Sequence, residues 1–141
     1  MAVDIRVSHP FSGRVDRAAL RRVARKALRA EGAPSRSGLT IVVTGDAAIR
    51  DLNHHFHQVD APTDVLSFSG DGANYLGDIV ISYETARDNA RAARWLIRDE
   101  LELLVVHGVL HLLGYEDASP RRRAKMWRRQ SEILGRELHQ W

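Results

Sequence analysis

The sequence predicts an α+β protein, four short strands among about five helices. Two observations carry this. Four apolar runs of strand length, AVDIRV at 2–7, LTIVVT at 39–44, VLSF at 65–68 and LGDIVI at 76–81, are set among turn residues. Around them apolar residues recur at helical spacing, and one stretch, 97–113, is apolar on nearly every side, as a buried central helix must be. A chain of 141 residues suits one domain, 1–141, with one core.

The elements follow in order. After the first, alternating strand, Asp16 is placed to cap a helix running to about Arg29. Val15, Leu20, Val23, Ala27 and Leu28 form its apolar side. EGAPSRSG at 31–38 is a turn or loop, and Leu39–Thr44 a buried-type strand. Thr44 or Asp46 is the candidate cap of a helix ending near His57, with Ala48, Ile49, Leu52 and Phe56 at apolar positions. Residues 65–68 and 76–81 read as a hairpin around SGDGANY. Two helices follow, Glu84–Arg94 and Ile97–Leu113, the second stopped by Gly114. Ser119-Pro120 starts the last helix, with Trp127, Leu134 and Leu138 on its inner face.

Composition narrows the chemistry. There is no cysteine, so disulfides and thiolate zinc sites are excluded, and any metal must use His, Asp or Glu. The N-terminus lacks the pattern of a secretory signal, and no apolar stretch is long enough to span a bilayer. A cytoplasmic protein is expected. Nineteen of the 21 basic residues are arginine, which matches phosphate geometry better than lysine does. A codon bias explains the same excess.

The segment 107–117 reads HGVLHLLGYED. His107 and His111 are four apart on the predicted central helix, so they share one face and can reach one ion. Two core histidines with ordinary hydrogen bonds are the plainer reading. Gly108 is costly in mid-helix by about 1 kcal/mol relative to alanine, which suits close approach of a backbone or a substrate. Beyond the stop at Gly114 the chain can fold back and offer Glu116 or Asp117 as a third ligand. Three protein ligands leave the fourth position of zinc open, the catalytic arrangement. The residue after His107 is glycine, so the general base of an HExxH peptidase is missing.

HGVLHLLGYED resembles the H-G-x-L-H-L-x-G-Y-D-H signature of the YbeY family of endoribonucleases. LNHHFHQVDAPTDVLSF, LGDIVIS and the closing pattern at Met126, Glu132 and Leu134 are similar to that family too, over about Leu39 to Leu134. The resemblance implies an α+β fold with a small mixed sheet packed against helices. It implies a single-strand-specific, metal-dependent endoribonuclease acting in ribosomal RNA maturation, especially at the 3′ end of the small-subunit RNA, and in ribosome quality control. One Zn2+ ion is the implied cofactor, and ribosomal RNA with the ribosome or small-subunit proteins are the implied partners. The family holds its metal with three histidines. Here the third falls on Asp117, which leaves His107, His111 and Asp117 as the metal set and His107 and His111 as catalytic candidates. The family arginine thought to serve cleavage falls on His57, a third catalytic candidate. A histidine carries charge at lower pH or acts as a base, but it cannot copy a bidentate guanidinium.

Other residues keep two readings. Glu116 is an alternate ligand or a surface charge, and Tyr115 packs or brings its hydroxyl to the site. Asp64 and Asp78 orient a ligating histidine or merely cap loops. Ser67 is a strand serine or a substrate contact, and His54 and His55 belong to a solvated helix face. Arg21, Arg22 and Arg25, with Arg121, Arg122, Arg123, Lys125, Arg128 and Arg129, are the candidate RNA contacts or plain solvated faces. Two other functions compete: a ribosome-associated RNA-binding factor with weak or no cleavage, and another metal-dependent hydrolase. The cleaved bonds, the general base and the oligomeric state stay open at this stage.

Overall fold

The structure, a computed structural model, describes residues 1–136 and Leu138. Its elements are β1 (Ala2–Val7), a 3-10 turn (His9–Arg14), α1 (Arg17–Ala30), β2 (Gly38–Thr44), α2 (Asp46–His57), β3 (Val65–Ser69), β4 (Tyr75–Ser82), α3 (Tyr83–Ala93), α4 (Ile97–Leu112) and α5 (Pro120–Leu134). The expected α+β class and the mixed four-stranded sheet are both present. Strand order is β1-β2-β4-β3, with β3 antiparallel to β4 and the other pairs parallel. The 3-10 turn carries no expectation from the sequence, because its six residues bury nothing and so show no apolar period.

Alternation sorts the sheet into two faces. Leu39, Ile41, Val43, Ile79 and Ile81 point into the main core, which α1, α4 and α5 close with Leu20, Leu28, Val106, Leu110 and Ile133. α4 is the central element, packed against α1, α3, α5, β3 and β4. Its glycine explains the closeness. A Cβ at Gly108 would lie 2.6 Å from the Cγ2 of Ile79, so the helix rests its backbone on the sheet. The close neighbour expected from the sequence is therefore a side chain of β4, not a backbone or a substrate.

The caps at Asp16 and Ser119 form as expected, each accepting from a backbone N–H in the first turn of its helix. Two boundaries and one inner row differ. Gly45, not Thr44 or Asp46, is the N-cap of α2, and the Glu84 carboxylate accepts from the Asp46 N–H at 2.8 Å in place of a local cap. Ser82 caps α3, which therefore begins one residue early, at Tyr83. The inner row of α5 is Met126, Gln130 and Ile133, while Trp127, Leu134 and Leu138 are only half-buried. α2 departs most from its apolar reading. Ile49 is buried and Leu52 partly so, but Ala48 is exposed, Asn53 is buried, and Phe56 is 53% exposed.

Candidate metal centre

α4 ends one turn beyond His107, and how it ends builds the site. Gly114 takes φ +100, the left-handed region where a side chain is strained. Its N–H bonds to the His111 carbonyl at 3.0 Å and the Tyr115 N–H to the Leu110 carbonyl at 2.9 Å, the paired bonds of a Schellman stop. This reversal brings the Tyr115 carbonyl back over the helix, where His111 Nδ1 donates to it at 2.9 Å. Across the core, Gln130 of α5 presents Oε1 to His107 Nδ1 at 2.7 Å.

Both imidazoles thus have their Nδ1 hydrogen committed to an acceptor, and each Nε2 carries a lone pair. Those two Nε2 atoms face one another at 3.0 Å. Two lone pairs repel unless a cation lies between them, as a proton or a metal ion. Two nitrogens at about 2.0–2.1 Å from a tetrahedral ion would be about 3.3 Å apart, close to what is seen. Burial first, and then the neighbouring His111, hold the His107 pKa below the usual imidazole value, so the ring stays neutral and able to ligate.

Asp117 completes the group. Its Oδ2 lies 3.7 Å from His111 Nε2, and ligand atoms of His107, His111 and Asp117 all fall within 4.8 Å of one another. A carboxylate oxygen is an acceptable zinc ligand, so the residues fit a divalent ion with one open position. The loop that carries Asp117 is braced from α5. Arg123 donates to the Asp117 carbonyl at 3.2 Å, and Arg122 pairs with Glu116. Glu116 is therefore a paired surface charge. The Tyr115 hydroxyl is engaged by Glu31; burial first and then that carboxylate raise its pKa.

The three candidate ligands open into a cleft of about 500 Å3 whose far wall is β3, with Ser67 on it. Asp64 lines the same cleft and accepts from Asn89 Nδ2 at 3.1 Å. Asp78 does not reach the site. It follows the opposite parity to Ile79, points to the other face of the sheet, and is bound by the Tyr75 hydroxyl. His57, at the end of α2, is also on that side, stacked on Phe68 with ring centroids 6.1 Å apart. The structure therefore brings together His107, His111 and Asp117, and sets His57 beyond the edge strand. His54 and His55 stay on the exposed face of α2.

Gln130 and Asn89 were missed from sequence. Gln130 left a faint trace, a polar residue in the row of Met126 and Ile133 at helical spacing. The Tyr115 carbonyl left none, since backbone acceptors have no residue type.

Several of the candidate RNA contacts are engaged within the fold. Arg21 donates to the Val3 carbonyl of β1 and Arg25 to the Met1 carbonyl just before it, and Arg129 is held by Glu31 and Glu132. Arg22, Arg121 and Arg128 are exposed.

The family described as Endoribonuclease YbeY matches residues 9–137. An endoribonuclease YbeY of Dehalococcoides mccartyi strain CBDB1 is 39% identical over 134 residues, spanning 82% of this chain and 81% of that protein. One from Roseiflexus sp. strain RS-1 is 40% identical over 144 residues, spanning 94% and 90%. A Thermotoga maritima protein solved in solution superposes with a TM-score of 0.62 at 26% identity, over 94% of this chain and 89% of that one.

Proposed function

Since the chain belongs to the Endoribonuclease YbeY family, we propose that it is a zinc-dependent endoribonuclease that hydrolyses single-stranded ribosomal RNA. Its place is small-subunit RNA maturation and ribosome quality control in the cytoplasm, in contact with the ribosome or small-subunit proteins. The observation that carries the reading is the pair of Nε2 atoms at 3.0 Å, each with its Nδ1 already bound.

His107, His111 and Asp117 are the proposed ligands of one Zn2+ ion. When bound, such an ion supplies Lewis acidity to a phosphate oxygen and a water of lowered pKa. The chain does the rest. Gln130 and the Tyr115 carbonyl fix the two tautomers. Arg122 and Arg123 steady the loop of the third ligand. The β3 wall leaves room for one extended strand of nucleic acid beside the ligands. His57 meets the RNA from beyond that wall, with its ring stacked on Phe68. No described helix is long and apolar enough to cross a membrane.

The test joins elemental analysis to cleavage of a labelled single-stranded RNA. His111→Ala is expected to lose metal and cleavage together; cleavage that survives loss of the metal sinks the catalytic ion. Asp117→Ala with full metal occupancy removes Asp117 from the ligand set. His57→Arg is expected to raise cleavage, and an unchanged rate would deny His57 a part in it.

A further inference from the structure

The two edges of the sheet are treated differently. In β1, Ala2 and Ser8 donate inward, to carbonyls of Ser37 and Val43 along β2, so the odd residues face outward. Three of their carbonyls, on Met1, Val3 and Ile5, are covered. Arg25 donates to Met1 at 3.3 Å, Arg21 to Val3 at 3.2 Å and Arg17 to Ile5 at 3.3 Å, one arginine per turn of α1. In β3 the Asp64 carbonyl and the Gly70 N–H bond toward β4. By alternation Val65, Ser67 and Ser69 aim their N–H and C=O groups at the open edge. Among the described residues no partner takes these groups.

That open edge has two unlike sides. Ser67 faces the metal cleft. Phe68, the next residue, points to the other face, where the Phe56 ring lies 5.0 Å away and the His57 ring stacks within 13° of parallel. Phe56 is half in solvent although α2 has a buried row to offer. The rings are thus an exposed aromatic platform one residue from the cleft wall.

Resting on the RNA-cleaving function proposed above, we propose that Phe56 and Phe68, with His57, form a subsite that stacks one base of single-stranded RNA crossing the free edge of β3. The occupant follows from the mixture of groups. Flat aromatic faces suit a nucleobase. Free N–H groups and serine hydroxyls suit ribose and phosphate oxygens. Contiguity with the cleft puts the neighbouring phosphate on the metal side. A duplex keeps its bases stacked inside and cannot use the platform, so the subsite selects single strands.

The test measures binding of a short fluorescein-labelled, 2′-O-methyl oligoadenylate by anisotropy on the metal-loaded protein. A set of the same oligomer, each lacking one base, is measured beside it. Phe56→Ala is expected to bind the full oligomer about tenfold more weakly, and Phe56→Trp to regain affinity. On the oligomer that lacks the seated base, wild type and Phe56→Ala should bind alike. Equal affinity for the full oligomer, with wild-type cleavage intact, overturns the subsite alone and leaves the open edge to an added peptide strand. A loss that persists undiminished on every abasic oligomer also overturns it, since the base then plays no part. A wild type that neither binds nor cleaves single-stranded RNA overturns the subsite and the function together.

Discussion

Gln130 is 1% exposed and has one visible task, to accept the His107 Nδ1 hydrogen. Replacing it with Leu keeps the bulk and removes the acceptor. Metal affinity is expected to fall by about 10–100-fold, read by competition with a chromophoric chelator; unchanged affinity would mean the tautomer needs no such partner. Glu100 is the other costly side chain. It is fully buried on α4 and takes a bond from Trp95 Nε1 at 3.2 Å, with Asn89 beside it. Burial first, then the Asp64 carboxylate, push its pKa up to about 7 from an ordinary 4.5. The folded state therefore binds this proton more tightly than the unfolded chain. The stabilisation is complete below pH 4.5 and is lost as pH rises through about 7. Glu100→Gln should therefore match the wild type near pH 5 and exceed it near pH 8, by at most about 3 kcal/mol in urea unfolding. The same difference at both pH values would show that Glu100 does not titrate there. At this scale the sequence displayed the proposed ligands themselves, because His107, His111 and Asp117 lie within eleven consecutive residues. It concealed what orients them, because Gln130 lies on another helix and the other acceptor is backbone.

Elements were legible wherever one face was buried and the other wet. α1 alternates at helical period between core residues and arginines; its start at Asp16 and the inward Leu20, Val23, Ala27 and Leu28 were read correctly, while Val15 falls before the cap, outside the helix. α4 was read as central because it has almost no wet face. α2 misled because Phe56 falls in apolar register but sits at the surface, against the rings of Phe68 and His55. Contact between α4 and the sheet depends on a single missing methyl. Gly108→Ala gains helix propensity of about 1 kcal/mol. It also drives a Cβ into Ile79, and overpacking of this kind costs typically about 1–3 kcal/mol. A net loss of stability is expected, smaller when combined with Ile79→Ala than the two single losses summed. Strict additivity in chemical denaturation would show that the helix has room to move.

Across the whole molecule, charge is spent in two ways. The net charge is +3 and arginine dominates, yet Arg17, Arg21 and Arg25 guard the β1 edge, while Arg122, Arg123 and Arg129 brace the metal loop and α5. Arg22, Lys26, Arg29, Arg121, Lys125 and Arg128 stay exposed and can meet a phosphate backbone. With about four phosphates neutralised, binding of a single-stranded oligomer should weaken about 50-fold between about 50 and 200 mM salt. A much steeper fall would mean that the guarding arginines also bind RNA. By itself the sequence determined the order and kind of the elements, two of the helix caps and the His-His-Asp set, because periodicity, capping and spacing along one helix are short-range properties. Only the tertiary structure decided which acceptors fix the imidazoles, that His57 stands beyond β3 rather than among the ligands, and which sheet edge stays open. Each of those depends on segments far apart in the chain meeting in space, and local propensity carries no record of such meetings.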